Sequence, residues 1–371
     1  MDLTETNNSY SNSFIHGGNV EHEAKRLGLD IDALIDASAS LVPFALPSLL
    51  QNSLFNAIKG KGLRIYPDQN LSILKEAIGK HHQVQPTMVL PGNGASELIT
   101  WAGRDAARNG ISVLPSPGFS DYKRALECWN GEYFHSPLPL QWEHTFPQEF
   151  PLQPTGQVIW ITNPHNPTGQ CWRRSSLEHL LDNNSLVICD EAFLPLVPNG
   201  ERESLIPLVN NYSNLIVIRS LTKLFSIAGL RIGYAISSEN RLRQWETSRD
   251  PWPLNGLAIA IGTMIMNHPT ILKKRIDKVQ EWVKEEGSWL QSNLQNLTGI
   301  VSHPSSTNFQ LIESKISLIN FREKLAHKKI LLRDCRSFIG LGDNWLRISL
   351  QKKSDNRKIL KTMLETFNYA L

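Results

Sequence analysis

The chain has 371 residues, of which 41% are hydrophobic, and this is more than one core usually holds, so two packed units are expected. Its 38 basic and 35 acidic residues leave a formal net charge of +3 without a long basic run, which argues against a nucleic-acid partner. The four cysteines form no Cys-x-x-Cys pair, which argues against a zinc site or a disulfide framework and favours a reduced, cytoplasmic setting.

The beginning of the chain indicates neither secretion nor a membrane. Residues 1–12 are polar and lack the basic and apolar regions of a secretion signal, so a flexible arm is expected there. The longest mostly apolar stretch, 254–266, is too short to cross a bilayer. Ahead of a predicted helix at 20–27, His16-Gly17-Gly18-Asn19 forms a loop whose backbone amides can face an anion, although composition alone favours an ordinary turn.

A glycine turn near residue 93 is the first candidate for a phosphate site. It follows predicted helices at 48–59 and 71–81, which are separated by a turn at Ile65-Tyr66-Pro67-Asp68. A short apolar strand enters Gly92-Asn93-Gly94, and a helix is predicted over 95–108. Small residues there let backbone N–H groups and the Ser96 hydroxyl approach a phosphate at the positive end of the helix. A plain helix cap is the alternative.

Continuous apolar strands alternate with helical spacers through the middle of the chain. The strands are predicted at 111–114, 158–162, 186–189, 215–218 and 234–237. Such strands are typical of a mostly parallel sheet with helices on both faces, in which sites collect at the carboxyl ends of the strands. The polar segments that follow these strands are 115–122, 163–169, 190–193 and 220–223.

Two of those segments carry a constrained polar side chain. In Asn163-Pro164-His165-Asn166-Pro167-Thr168-Gly169 the two prolines fix φ on both sides of Asn166 and aim its amide. Asp190 ends an apolar strand, so its carboxylate lies in a partly dry place and needs a cationic partner, which a protonated pyridine nitrogen supplies. A helix N-cap is the alternative role for Asp190.

Lys223 is the central candidate of the chain. It lies in Ser220-Leu221-Thr222-Lys223, eight residues before Arg231, so two hydroxyls and two cations share one small space. A lysine held near another cation and partly out of water loses its preference for the ammonium form and can attack an aldehyde. We interpret this as the aldehyde of pyridoxal 5'-phosphate beside a phosphate site. Taken alone, the run also fits a surface lysine and a helix-capping arginine.

The motifs together resemble a known family. Residues 92–97, 163–169, 190–193, 220–231 and 347–349, in this order and spacing, resemble the fold-type I pyridoxal-phosphate aminotransferases of classes I and II. The resemblance implies an α/β fold of the PLP-dependent transferase type. A large domain with a mostly parallel sheet and helices on both faces would join a smaller α+β domain. We place an N-terminal arm and part of the small domain at 1–40, the large PLP-binding domain at 41–254, and the small domain at 255–371.

The resemblance also implies roles for individual residues. Lys223 would form the Schiff base and move protons, Asp190 would pair with the pyridinium nitrogen, and Phe119 would stack on the ring. Asn166 would donate to the phenolic oxygen and also contact substrate. The phosphate would be bound by Ala95, Ser96, Ser220, Thr222 and Arg231, together with Tyr66 from the second subunit of a homodimer. Substrate would be held by Arg347 at its carboxylate, and by Arg333 and the loop His16, Gly17, Gly18 and Asn19, with no metal ion.

Within the family, the details resemble the L-threonine-O-3-phosphate decarboxylases of cobalamin synthesis. The features that favour them are the loop at 16–19, the segments 251–255 and 332–338, and Phe193, where aminotransferases usually carry a tyrosine. The implied reaction is decarboxylation of L-threonine O-3-phosphate to (R)-1-amino-2-propanol O-2-phosphate. His165 replaces a more usual asparagine, and Arg336 stands where a small residue is common, so both residues bear on substrate fit.

Two other functions stay open at this point. A histidinol-phosphate aminotransferase is the nearest, because spacing does not show which bond of the substrate stands perpendicular to the cofactor ring. The cofactor-sensing domain of a transcription regulator is the second. It is disfavoured because such regulators add a winged DNA-binding module, for which we expect no room before residue 16 or after residue 371.

Overall fold

The structure is a computed structural model, and it describes residues 17–367. The helices are α1 Val20–Leu27, α2 Ser48–Lys59, α3 Ser72–His82, α4 Gly94–Asn109, α5 Asp121–Glu127, α6 Arg174–Asn183, α7 Leu221–Phe225, α8 Glu239–Glu246, α9 Gly256–Asn267, α10 Pro269–Leu294, α11 Ile319–His327 and α12 Lys353–Phe367. The strands are β1 Ile35–Ala37, β2 Val89–Asn93, β3 Ser112–Ser116, β4 Tyr133–Pro137, β5 Val158–Thr162, β6 Leu186–Asp190, β7 Leu215–Ser220, β8 Ile232–Ser237, β9 Ile300–Ser302, β10 Phe309–Ser314, β11 Ile330–Asp334 and β12 Trp345–Ser349. Within the described residues, no helix has both the length and the apolar content needed to span a bilayer.

The larger sheet is mostly parallel. Among residues 17–367 it has seven strands in the order β2-β8-β7-β6-β5-β3-β4, and only β8 runs antiparallel to its neighbours β2 and β7. Successive residues of β5 face two different cores, since Val158 and Trp160 pack in one and Ile159 and Ile161 in the other. Burial of both faces explains why these strands read as continuous apolar runs. The expected α/β fold with a mostly parallel sheet is therefore confirmed.

The smaller sheet joins the two ends of the chain. In the described part it has five strands in the order β1-β11-β12-β10-β9, and β1 pairs with β11 in parallel while the other neighbours are antiparallel. Strand β1 brings the segment around residue 38 next to the C-terminal strands that carry Arg333 and Arg347. The domain boundaries placed after residues 40 and 254 stay a prediction.

Several elements differ from those expected from sequence. The strand expected at 111–114 spans Ser112–Ser116, because Ile111 is exposed and the chain stays extended as far as Ser116. The edge strand β4 was not predicted, since its half-exposed residues lack a continuous apolar run. The apolar stretch 254–266 forms α9, whose first turn is capped by Asn255, which accepts a hydrogen bond from the Ala258 amide at 2.8 Å.

Candidate active site

A cavity of about 360 Å³ lies at the carboxyl ends of the parallel strands. The ends of β5, β6 and β7 contribute Thr162, Asp190 and Ser220, as the general rule for open α/β sheets predicts. The cavity also gathers most of the residues singled out from sequence, which are Gly17, Ala95, Ser96, Phe119, Asn166, Asp190, Ser220, Thr222, Lys223, Arg231, Arg333 and Arg347. Residues of distant segments thus converge on one space.

Hydrogen-bond donors and a cation meet at one end of the cavity. Helix α4 begins at Gly94, so the positive end of the helix and the Ser96 hydroxyl face the cavity. The Ser220 and Thr222 hydroxyls lie 2.7 Å apart across the start of α7. Gly94 has a φ of +74°, and a Cβ there would lie 2.4 Å from Nη2 of Arg231, so glycine permits the arginine to lie against the helix start. These groups are suited to bind a phosphate.

Lys223 lines the same cavity. Burial, helped by the nearby Arg347 and Arg231 cations and opposed by Asp190, lowers the pKa of the lysine from its ordinary 10.5 to about 8. Its Nζ lies 5.4 Å from the centre of the Phe193 ring. A neutral amine is therefore accessible near neutral pH, which is the form that attacks an aldehyde.

Asp190 presents a carboxylate with a specific set of donors. Its Oδ2 accepts a hydrogen bond from the Tyr122 hydroxyl at 3.0 Å, and its Oδ1 accepts from the Ala192 amide at 3.0 Å. The Tyr122 oxygen also lies 2.7 Å from Oγ1 of Thr162. Burial raises the pKa of Asp190 to about 6 despite these donors. The next helical turn begins at Leu194 and has Phe193 as its N-cap, so the N-cap role fits Asp190 less well than a ligand contact.

Arg347 holds Asn166 and the segment after β1. Its Nη1 donates to Oδ1 of Asn166, and its Nη2 donates to the Ser38 carbonyl at 3.3 Å. Because the Asn166 oxygen accepts this bond, the Nδ2 group keeps its donors for another acceptor. The buried Nε of Arg347 has no hydrogen-bond partner within residues 17–367. Burial, together with the Arg333 charge, lowers the pKa of Arg347 to about 9.

Arg333 provides a second buried cation on the same side. It donates to the Ser337 hydroxyl at 2.6 Å, and its guanidinium lies 5.2 Å from the Phe338 ring centre. Phe338 also lies 5.8 Å from the Arg347 guanidinium, so one ring contacts both arginines. Within the described residues, neither arginine forms an ion pair with a carboxylate. Two buried cations without an ion pair are suited to bind anionic groups of a ligand.

The predicted residues Gly18, Asn19 and Tyr66 do not line the cavity. Gly17 lines it, and a Cβ on Gly17 would lie 2.4 Å from the Ser38 carbonyl. The Gly18 amide donates to the Ser38 hydroxyl at 3.1 Å, and Asn19 is exposed at the start of α1. Tyr66 is 78% exposed and packs on Trp252 with 4.6 Å between ring centres. His16 lies outside the described residues, so its predicted contact with substrate stays a prediction.

The two departures from the family pattern do not border the cavity. His165 is buried beside Thr168, with 2.9 Å between Nδ1 and Oγ1, and burial lowers its pKa to about 3. Arg336 is exposed and donates to Asp334 at 2.6 Å. Neither side chain is among the described residues that line the cavity.

Sequence reasoning missed three contributions to the site. Ser38 and Phe338 line the cavity, although neither residue was predicted to do so and only the segment 332–338 was part of the family resemblance. Tyr122 lay within the polar segment 115–122, but its bond to Asp190 depends on a side-chain direction that sequence does not give. The apolar run before Lys223 could have been examined for Arg219, which its strand buries.

The third missed contribution is an ion cluster behind the strand ends, in which Arg219 and Glu191 are buried and Glu201 is exposed. Arg219 lies 2.7 Å from the Glu191 carboxylate and 2.8 Å from that of Glu201. The Ser204 hydroxyl and the Leu205 amide also donate to Glu191, at 2.8 and 2.7 Å. Glu191 follows Asp190 and Arg219 precedes Ser220, so the cluster joins the ends of the two strands that carry those cavity residues.

The donor set fits pyridoxal 5'-phosphate. Lys223 offers an amine with a lowered pKa for an aldehyde, and Asp190 offers a buried carboxylate for a pyridinium nitrogen. The start of α4, the two hydroxyls of Ser220 and Thr222, and Arg231 offer donors and charge for a phosphate. Phe119 borders the same cavity as a flat apolar wall.

Comparison with known proteins agrees with this fit. Residues 26–363 match the family model described as aminotransferase class I and II. The chain is 29% identical over 355 residues to a threonine-phosphate decarboxylase of Salmonella typhimurium, covering 94% of this chain and 95% of that protein. It is 28% identical over 335 residues to a histidinol-phosphate aminotransferase of Thermoanaerobacter sp., covering 88% and 91%.

A solved structure shows the same fold. A histidinol-phosphate aminotransferase from Sinorhizobium meliloti, in complex with pyridoxal-5'-phosphate, superposes with a TM-score of 0.79. Its sequence identity is 16%, and the match covers 100% of this chain and 99% of that one.

Proposed function

This chain belongs to the class I and II aminotransferase family, and we propose that it is the member that decarboxylates L-threonine O-3-phosphate. The family depends on pyridoxal 5'-phosphate. The proteins to which this chain is similar in sequence are decarboxylases and aminotransferases, so the protein is an enzyme. A non-enzymatic cofactor-sensing role is set aside for that reason. The product would be (R)-1-amino-2-propanol O-2-phosphate, which is a building block of cobalamin synthesis.

The cofactor would be held by the residues that fit it. Lys223 would bond its aldehyde carbon, Asp190 its ring nitrogen, and Ala95, Ser96, Ser220, Thr222 and Arg231 its phosphate. When bound, the cofactor supplies an electron sink for the bond that breaks at the α-carbon of an amino acid. Tyr122 would keep the Asp190 carboxylate oriented, because its hydroxyl donates to Oδ2.

The observation that carries the proposal is the pair of buried arginines. Arg333 and Arg347 both border the cavity, and neither is neutralised by a carboxylate within residues 17–367. Threonine phosphate has two anionic groups, a carboxylate and a phosphate, and an arginine fork matches either of them. Ser38 and Gly17 line the same cavity, and the Ser38 carbonyl accepts a hydrogen bond from Arg347.

Lys223 would also deliver a proton to the α-carbon of the substrate. Departure of carbon dioxide from threonine phosphate requires a proton to be delivered to the α-carbon, and the amine is the titratable donor that faces this part of the cavity. Its pKa of about 8 permits both the protonated and the neutral form near neutral pH. The lysine can therefore bind the cofactor and then return a proton.

Phe193 supports decarboxylation over transamination. In this structure its ring lies beside Lys223 and packs edge-on against Phe309, with 5.4 Å between ring centres. A tyrosine here would place a hydroxyl near the lysine, as aminotransferases of this family usually do. The apolar ring removes that donor from the reacting end of the cavity.

A histidinol-phosphate aminotransferase is the second candidate. Identity to such an enzyme is only one percentage point lower than to the decarboxylase. Glutamate, the amino donor of such enzymes, also carries two anionic groups, so both arginines would have ligands in that reaction as well. The two functions differ in whether a keto acid is consumed.

One assay separates them. Purified protein with pyridoxal phosphate is incubated with L-threonine O-3-phosphate alone, and carbon dioxide and the amino alcohol phosphate are measured. Release of carbon dioxide without a keto acid is the expected result. Glutamate formed from 2-oxoglutarate and histidinol phosphate, with no carbon dioxide from threonine phosphate, would assign the aminotransferase instead.

We also propose a cytoplasmic homodimer with shared active sites. Tyr66 lies outside the cavity of its own chain, in a surface that exposes Phe55, Leu63, Ile65 and Trp252. An exposed apolar surface of this kind favours a protein partner. In a dimer built on it, Tyr66 would reach the cofactor phosphate of the second subunit.

A further inference from the structure

Arg275 is a buried cation that the proposed reaction does not use. It lies on α10, is 5% exposed, and forms no ion pair with a carboxylate among the described residues. Burial lowers the pKa of its guanidinium to about 10. Burying an arginine without a counter-ion is costly unless its donors are satisfied, so its contacts need an explanation.

The donors of Arg275 all reach backbone carbonyls of two segments. Nε donates at 2.9 Å to the carbonyl of Leu224, the residue that follows Lys223. Nη1 donates to the Ala45 carbonyl at 3.0 Å, and Nη2 to the Phe44 carbonyl at 3.1 Å. The rings of Phe44 and Phe225 lie 5.6 and 5.7 Å from its guanidinium. One planar group therefore joins segment 44–45 to the end of α7.

Each of the two segments leads directly to the cavity. Helix α7 spans only Leu221–Phe225, so its last carbonyls lack partners within the helix and suit a cation. Segment 38–46 begins with cavity-lining Ser38 and Ser40, and the Ser40 hydroxyl lies 2.8 Å from that of Ser349 on β12. A second bond, from the Ser226 hydroxyl to the Val42 carbonyl, joins the same segments.

We propose that Arg275 is a positioning residue, which sets the place of Lys223 relative to the segment that carries the substrate-side residues Ser38 and Ser40. The guanidinium does so through its fixed fork, since three carbonyls in two segments can share one rigid plane of donors. An ammonium group has donors but no such plane. The inference rests on the proposed function, because it takes Lys223 as the residue that bonds the cofactor.

The test compares Arg275→Met, Arg275→Lys and Glu286→Gln with the unchanged enzyme. Glu286 is the matched control, because it is also buried on α10 but bonds Asn356 and Arg357, away from the cavity. Turnover constants, thermal midpoints and amide hydrogen exchange of the cofactor-free protein are measured. A misplaced lysine lowers kcat by on the order of 100-fold while KM changes much less.

The expected pattern has three parts. Arg275→Met lowers kcat as stated and exchanges faster at the amides of residues 42, 44–46 and 224–227 together. Arg275→Lys recovers part of both effects. Glu286→Gln lowers the thermal midpoint and leaves kcat and those amides unchanged. If folded Arg275→Met keeps kcat, or if its amide exchange rises evenly over the chain rather than in these two segments, Arg275 is only structural and the proposal is wrong.

Two further comparisons allow the experiment to be interpreted if a variant does not fold or the enzyme is inactive. Should Arg275→Met fail to fold, Arg275→Lys keeps the charge and carries the same comparison. If the unchanged enzyme shows neither a cofactor absorption band nor turnover, the proposed function is wrong. If the unchanged enzyme shows both, and Arg275→Lys and Arg275→Met behave like it, only the role of Arg275 is wrong.

Discussion

Arg333 and Arg347 lie opposite each other as partners on the antiparallel strands β11 and β12, and both side chains border the same cavity. Opposed positions on one face bring side chains close, and like charges there repel each other. Each charge therefore depends on an anionic ligand for compensation.

Substitution of either arginine is expected to weaken substrate binding. Arg347→Ala and Arg333→Ala should each raise KM for threonine phosphate by roughly 10- to 100-fold, because each leaves an anionic group without its charged donors. Steady-state kinetics measures the change. Arg336→Ala is the matched control, since that arginine is exposed and bonds Asp334 outside the cavity. An equal loss in the control would refute the assignment.

Replacing Lys223 is expected to abolish both cofactor colour and turnover. Lys223→Ala removes the amine that would bond the cofactor and the proton donor of the cavity, and the lost proton transfer alone costs roughly 10²- to 10⁴-fold in rate. Absorption spectroscopy and carbon dioxide release are the measurements. Lys273→Ala, on the exposed side of α10, should behave like the unchanged enzyme. A mutant that keeps its visible band shows that another residue bonds the cofactor.

Asp190 should make the cofactor-free protein less stable as pH rises. Burial raises its folded pKa to about 6, above the ordinary 3.8, so the folded state holds a proton that the unfolded state has lost between these values. Stability from this group is complete below about pH 4 and falls as pH rises through about 6.

The Asn variant removes this dependence. Asp190→Asn should therefore be more stable than the unchanged cofactor-free protein by about 2 to 3 kcal/mol above pH 6 and similar near pH 4. With cofactor the order should reverse, because the charged carboxylate then has a cationic partner. Denaturant unfolding with and without cofactor measures both. A difference that does not change with pH would mean that Asp190 is not buried as a titrating acid.

The exposed apolar surface around Tyr66 predicts how the subunits associate. Ile65→Asp should give monomers in sedimentation experiments, and Tyr66→Phe should leave a dimer that loses cofactor more readily on dialysis. Val301→Asp, which changes an exposed apolar residue on the edge strand β9, should leave the dimer intact. Full activity from a monomer at high dilution would contradict the shared site.

The sequence predicts those parts of the site whose position depends on neighbouring residues in the chain. Strand ends, the two prolines around Asn166 and the run before Lys223 could be placed because each is set by neighbouring residues. Arg275 could not, since its partners Phe44 and Ala45 are about 230 positions away. The direction of Tyr122 toward Asp190 was equally hidden, because the angle of α5 against the sheet depends on packing across the whole core.

The ion cluster of buried Glu191, buried Arg219 and exposed Glu201 constrains which substitutions this enzyme can tolerate. Removing Arg219 leaves two carboxylates facing each other without a cation, so its loss should cost more than the simultaneous loss of Arg219 and Glu191. A double-mutant cycle should therefore measure a large coupling free energy between Arg219 and Glu191. A substitution at one of these positions should therefore be tolerated only together with a compensating substitution at the other. This couples the sequence at the end of β6, which carries Asp190, to that at the end of β7, which precedes Lys223.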